Sequence, residues 1–208
     1  MVKVKVCGIK RFEDLKACIE AEVDAVGFIL GFPQSPRNLS FEEAKDLLDK
    51  LPPFISGVAV IREERDLIEK VIKNLNPDAL QLYGSFKIKE YKDMVRGLKL
   101  IKVLEAKEDS LEKAKVALSL GYQAILLDSL THGMGGTGKI HDWNRSRRIR
   151  DEIYPHPFIL AGGLNKDNVL EAIEKVKPYA VDASSGLEVK RGIKDPELIK
   201  EFVRVVKG

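Results

Sequence analysis

The sequence predicts one (β/α)8 barrel, a TIM barrel of the α/β class, spanning residues 1–208 as a single domain. Eight short runs rich in valine, isoleucine and leucine recur along the chain, each followed by a stretch with apolar residues at three- and four-residue spacing. No shift in composition interrupts the alternation, and 208 residues suffice for one domain with a substantial core. The same alternation suits a doubly wound open sheet. Eight parallel strands favour closure, because a barrel leaves no edges.

The first strand is read at 2–6 (VKVKV), where Val2, Val4 and Val6 share one face and Lys3, Lys5 and Cys7 the other. The valines suit the helix layer, which turns Lys5 and Cys7 into the barrel. A helix follows at 13–20. The second strand, 24–30 (DAVGFIL), precedes a helix at 40–50 that opens on Ser40 and Glu43, the spacing of a capping box. The third, 55–61 (ISGVAVI), precedes a helix at 63–75 with Leu67, Ile68, Val71, Ile72 and Leu75 on one side. Strands at 78–82 (DALQL), 99–104 (KLIKVL) and 123–127 (QAILL) are followed by helices at 86–96, 109–119 and 142–152. The seventh strand, 157–160 (PFIL), leads to a helix at 165–176, with Asn165 as cap and Leu164 and Val169 as a hydrophobic staple. The eighth, 179–182 (YAVD), leads to a helix at 195–207 that starts on Asp195–Pro196, a cap followed by proline at the first helical position.

Composition excludes several classes. Charged residues make up 32% but the net charge is only +3, so no global field draws the chain to nucleic acid. The local basic run RSRRIR at 145–150 falls on a helix and reads as a solvated face. No apolar run approaches the ~20 residues of a membrane span. The N-terminus alternates lysine with valine, unlike a signal peptide. Two cysteines are too few for a disulfide scaffold, which suits a cytoplasmic protein with free thiols.

In such barrels chemistry gathers at the C-terminal ends of the strands. That rule selects Cys7, the 31–38 loop, Gln81–Tyr83, Asp128, the 131–139 loop, Ala161–Gly163 and Asp182–Gly186. Cys7 is either a small buried hydrophobe or a thiol whose ionisation the neighbouring Lys5 promotes. Asp128 closes the apolar run AILLD, a place suited to acid–base work or to anchoring a loop. Gly162 and Gly163 in LAGGL, with Ser184, Ser185 and Gly186 in DASSGLE, read as an anion cradle, since barrels bind phosphate at the loops after strands 7 and 8. Arg37 could pair bidentately with a carboxylate, or stand in solvent. His132, His141 and His156 lack metal-ligand spacing, and no metal is expected. Residues 133–139 (GMGGTGK) fit the core of a nucleotide-binding P-loop, but Ile140 stands where that loop needs a hydroxyl for Mg²⁺.

The segments KVCGIK (5–10), DAVGFILGFPQSPR (24–37), QLYG (81–84), ILLDS (125–129), GGTGKIHDW (135–143), LAGGLNKDNV (160–169) and VDASSGLEVKRGIKD (181–195) resemble the phosphoribosylanthranilate isomerase family, in order and over nearly the whole chain. The resemblance implies an Amadori rearrangement in L-tryptophan biosynthesis, an aldose–ketose isomerisation without metal or organic cofactor. It implies Cys7 as general base, Asp128 as general acid and Arg37 as the contact for the anthranilate carboxylate. Gly162, Gly163, Ser184, Ser185 and Gly186 match its phosphate site, Lys5, Gln81 and Asp182 support the centre, and Gly135, Gly136 and Gly138 belong to a mobile loop. The implied partner is a small phosphorylated substrate, not nucleic acid or a membrane, with the chain a monomer or homodimer. Tyr83 and Ala59 depart from the family's QLHG and GVF forms, which bears on the pocket for the anthranilate ring. The related isomerases of histidine biosynthesis use two aspartates, and Cys7 speaks against them. Rivals of another class are a nucleotide-driven switch, or a phosphate-binding barrel without catalysis.

Overall fold

The computed structural model describes residues 1–129 and 141–208. All eight strands form: β1 (Lys3–Cys7), β2 (Ala25–Ile29), β3 (Ser56–Arg62), β4 (Ala79–Tyr83), β5 (Lys99–Glu105), β6 (Ala124–Asp128), β7 (Phe158–Leu160) and β8 (Ala180–Ala183). They pair in parallel in sequence order and β8 returns to β1, closing the barrel. Most run about one residue further than apolarity suggests, because the ladder is a backbone property and carries polar residues such as Asp128 on its last rung. That rung is Glu105 opposite Asp128.

Among the described residues, seven helices surround the barrel: α1 (Phe12–Glu20), α2 (Phe41–Leu48), α3 (Arg65–Leu75), α4 (Ser110–Leu120), α5 (Trp143–Ile153), α6 (Val169–Val176) and α7 (Pro196–Lys207). The Ser40–Glu43 capping box forms in both directions, and Asp195 Oδ1 accepts from Glu197 N and Leu198 N at the head of α7. Asn165 Oδ1 accepts from Asp167 N and Asn168 N as a cap would, but the chain makes a turn there first and α6 begins only at Val169. The two faces of each strand feed two cores. Val4, Val6, Phe28, Leu80, Leu82, Ile125 and Leu127 pack outward against the helices. Val58, Val60, Ala79, Ile101, Val103, Leu126 and Ile159 fill the barrel interior with Cys7.

Two features depart from the regular alternation. The helix expected at 86–96 is reduced to a 3-10 turn at Ile88–Tyr91. Lys102 explains it. This residue of β5 faces the outer layer and is 0% exposed, with Nζ on Glu63 Oε2 at 2.5 Å and on the carbonyls of Gly84 at 3.0 Å and Ser85 at 2.5 Å. The rings of Phe86 and Tyr122 flank it, and Glu63 also accepts from Tyr91 Oη and Lys87 N. The Ser85 carbonyl, which would take the first bond of a helix at 86–96, points to the ammonium instead. The second departure is an antiparallel hairpin after β8, β9 (Glu188–Lys190) with β10 (Ile193–Lys194).

The RSRRIR run lies on α5 but is more than a solvated face. Arg147 and Arg150 donate to the carbonyls of Lys175 and Val176 at the end of α6, and Arg145 to that of Ala106. Such contacts satisfy carbonyls left open at a helix C-terminus. Among the described residues no helix is long and apolar enough to cross a membrane.

Candidate active site

Period-two pleating brings Lys5 and Cys7 of β1, Gln81 and Tyr83 of β4, Asp128 of β6 and Asp182 of β8 to the inside of the barrel near its C-terminal mouth. Lys5 Nζ sits 2.9 Å from Asp182 Oδ1, both side chains nearly buried. Burial pulls the Lys5 ammonium down, but Asp182 and Cys7 outweigh it and hold the lysine charged.

The two titratable groups expected to carry protons are both pushed up. Burial raises the Asp128 carboxyl to about 7, with the charge of Asp182 adding to it against the Ser129 N–H and Lys5. Burial likewise raises the Cys7 thiol above its ordinary 9.0, although Lys5 and Lys194 pull the other way. The lysine-promoted thiolate expected from sequence is therefore outweighed by desolvation. The pair is left as a carboxyl half-protonated near neutrality and a thiol that keeps its proton.

Glycines make the room. A Cβ on Gly27 of β2 would stand 2.9 Å from Cys7 Sγ and 3.1 Å from Lys5 Nζ. Gly27→Ala is therefore expected to displace the thiol and cut kcat ~10-fold or more while the barrel stays folded, the scale on which small misplacements cost rate. Thiol alkylation rates and steady-state kinetics on the variant check it, and wild-type values for both would refute the crowding argument. Gly162, at φ +90°, lets the β7 loop touch the acid: a Cβ there would meet Ser129 Oγ at 2.5 Å and Asp128 Oδ1 at 3.0 Å. This position, expected only as phosphate ligand, is also a wall of the Asp128 pocket.

Gly163 and Gly186 lie in the same region. A Cβ on Gly186 would fall 2.2 Å from the Leu164 carbonyl oxygen, so the loops after β7 and β8 touch back to back. Ser184 has structural duties as well, since its hydroxyl donates to the Cys7 carbonyl at 2.9 Å. Ser185 opens the short 3-10 turn that follows. Gln81 is 1% exposed, and neither of its amide atoms has a partner among the described residues. Tyr83 follows two residues on along β4, on the same face. Burial and then the charges of Asp128, Cys7 and Asp182 push that phenol well above 10. Tyr83 meets Phe32 edge-on at 5.5 Å, and Arg62 lies 5.2 Å over the Phe32 ring, giving the mouth an aromatic side.

Arg37 is neither in solvent nor unengaged. It is 4% exposed, and its Nε and Nη2 each donate at 2.7 Å to Glu188, one to each carboxylate oxygen. One guanidinium edge is thus taken. The other, Nη1 with the remaining Nη2 proton, has no partner among the described residues. Sequence reading missed Glu188 and its second cation, Lys194, which donates to Glu188 Oε1 at 2.9 Å. Nothing local separates a buried charge from a solvated one; only the motif GLE…GIK drew attention to this stretch.

Gly135, Gly136 and Gly138 fall within 130–140 and lie outside the described residues. The P-loop reading required a helix starting at Lys139, whereas α5 starts at Trp143 on the Asp142 cap. No group of three or more His, Cys, Asp or Glu is placed to hold a metal among the described residues.

Residues 4–205 match the family model described as N-(5'phosphoribosyl)anthranilate (PRA) isomerase. A relative named N-(5'-phosphoribosyl)anthranilate isomerase from Methanopyrus kandleri is 40% identical over 224 residues, covering 100% of both chains. A phosphoribosyl anthranilate isomerase solved with reduced 1-(o-carboxyphenylamino)-1-deoxyribulose 5-phosphate superposes with a TM-score of 0.85 at 36% identity, covering both chains in full. Monomers generated from the dimeric enzyme of Thermotoga maritima superpose with a TM-score of 0.83 at 34% identity, again covering 100% of each chain. With its closed eight-stranded barrel and these full-length likenesses, the chain belongs to the N-(5'-phosphoribosyl)anthranilate isomerase family.

Proposed function

We propose that the chain converts N-(5-phosphoribosyl)anthranilate into 1-(2-carboxyphenylamino)-1-deoxyribulose 5-phosphate with Asp128 as general acid and Cys7 as general base. The reaction is an aldose–ketose isomerisation of L-tryptophan biosynthesis. One observation supports the residue roles above the others: a carboxyl titrating at about 7 and a buried thiol share one barrel mouth, with a lysine ammonium between two acidic neighbours.

Asp128 protonates the furanose ring oxygen, and the C1′–O bond opens to a Schiff-base cation. That cation acidifies the C2′ proton; Cys7 first releases its own proton to solvent, and the thiolate so formed removes the C2′ proton to give an enolamine. Tautomerisation to the ketone completes the rearrangement, and the protons redistribute between thiol and carboxylate. An acid near 7 retains a proton to give at neutral pH, as a general acid must. Lys5, held charged, stabilises the thiolate once it forms. The second edge of Arg37 takes the anthranilate carboxylate, and the loops bearing Gly162, Gly163, Ser184, Ser185 and Gly186 receive the phosphate. Gln81 and Asp182 line the cavity between them. The ligand is a small phosphorylated molecule rather than a nucleic acid or a membrane, the compartment is the cytoplasm, and the chain acts as a monomer or homodimer.

Purified protein should consume the fluorescent substrate phosphoribosylanthranilate without added metal. Cys7→Ala should reduce kcat ~10²–10⁴-fold, the range for losing a positioned acid or base, with KM little changed. Unchanged fluorescence with wild type would remove the assignment. Near-normal turnover by Cys7→Ala would remove only the thiol from its role.

A further inference from the structure

We propose that Glu188 is a positioning residue: it holds the Arg37 guanidinium so that its second edge faces the substrate carboxylate, with Lys194 fixing Glu188 in turn. The proposal rests on the reading of Arg37 as the carboxylate contact. A guanidinium on a βα loop has several rotatable bonds, and leaving it unfixed would cost binding free energy each time a substrate ordered it. Here the stem and the head are each held by a named contact. The stem of Arg37 lies on Gly8, where a Cβ would stand 2.5 Å from Arg37 Cδ. The head is clamped bidentately by Glu188 at 2.7 Å on both oxygens. Planar guanidinium and planar carboxylate then define the direction of the remaining edge.

The clamp is anchored from behind. Lys194, opposite Glu188 across the β9–β10 hairpin, is 1% exposed and donates to Glu188 Oε1 and to the carbonyl of Ser184 at 3.1 Å. Burial tends to raise the Glu188 carboxyl, but Arg37 and Lys194 outweigh it and hold it ionised. The hairpin itself seats on the Arg37 loop at Gly192, φ +82°, where a Cβ would stand 2.9 Å from the Pro36 carbonyl oxygen. Ser184 then reaches the Cys7 carbonyl at 2.9 Å. One buried chain of contacts, Arg37–Glu188–Lys194–Ser184–Cys7, thus links the carboxylate contact to the backbone of the proposed base. The hairpin is the part of the fold that sets their separation.

Pairing each enzyme with two substrates separates positioning from simple structural support. The probes are the anthranilate substrate and its descarboxy analogue, N-phosphoribosylaniline. Glu188→Gln is expected to raise KM for the carboxylated substrate about 10-fold, the scale of one charge-assisted contact, with kcat within about 2-fold and KM for the analogue unchanged. The double variant Glu188→Gln/Lys194→Met, which also removes the cation left without its counter-ion, should show the same selective loss and serves if the single variant does not fold. Arg37→Ala is the control. If it weakens both substrates equally, the reading of Arg37 fails. If Arg37→Ala is selective but the Glu188 variants weaken both substrates equally, or neither, the positioning proposal alone is overturned.

Discussion

Asp128→Asn is expected to lower kcat roughly 10³-fold and at the same time to stabilise the fold above pH 7. The first effect is the loss of a positioned acid, within the usual 10²–10⁴ range. The second follows from the same burial that suits the carboxyl to its task. Asp128 titrates at about 7 in the folded protein against an ordinary 3.8. Between those values the folded state binds the proton more tightly than the unfolded chain, so stability falls as pH rises through the window and the whole deficit is present above about 7. An asparagine has no charge to desolvate. The variant should gain on the order of 4 kcal/mol over wild type at pH 8 and little at pH 4. Urea unfolding of both proteins at the two pH values measures it. A variant no more stable at pH 8 than at pH 4, relative to wild type, would mean that Asp128 is not held against its ionisation.

Lys102→Met should produce the largest loss of stability, ~3–5 kcal/mol, because it strands Glu63 as an uncompensated buried charge. In a domain of this size that corresponds to a fall in Tm of about 10 °C. Burial already pulls the Lys102 ammonium below its usual range, with Glu63 as the main offset, so neither partner is comfortable alone. The double variant Lys102→Met/Glu63→Gln should recover more than half the loss, since removing both charges removes the desolvation cost with the attraction. Both side chains are 0% exposed on the helix side of the barrel wall, so kcat of the folded enzyme should hardly change. A single-variant loss below ~1 kcal/mol, or a double variant no better than the single, would show that the pair does not organise the 84–91 segment.

These two sites differ in how far they can be read from residues alone. The alternation of Lys5 and Cys7 with three valines is a local pattern, and pleating turns it directly into two faces. Asp128 after four apolar residues is equally local, because a strand tip is where the ladder ends. Capping at Ser40, Asn165 and Asp195 depends on atoms within three residues. The partners of Arg37 and Lys102 are of another kind. Glu188 lies 151 positions from Arg37, and Glu63 lies 39 from Lys102. No spacing rule reaches across those distances. Gly27 looks like any strand glycine until the thiol and ammonium are seen against its missing side chain.

The residues by themselves determined the eightfold alternation, the end of the barrel that carries the site, the inward direction of Cys7, the strand-tip position of Asp128, and the family. The alternation and the direction of Cys7 follow from periods of two and 3.6, whereas the family rests on the resemblance of motifs such as KVCGIK and DASSGLE. The tertiary structure decided which charges are buried and with whom: the Glu188 clamp on Arg37, the Lys102–Glu63 pair in place of a helix, and the balance in which desolvation outweighs Lys5 at the thiol. Burial and distance are set only when all eight strands have closed. Electrostatic strength depends on both, and that is why a protonated Cys7 and an acid at about 7 emerge from the fold and not from the string of residues.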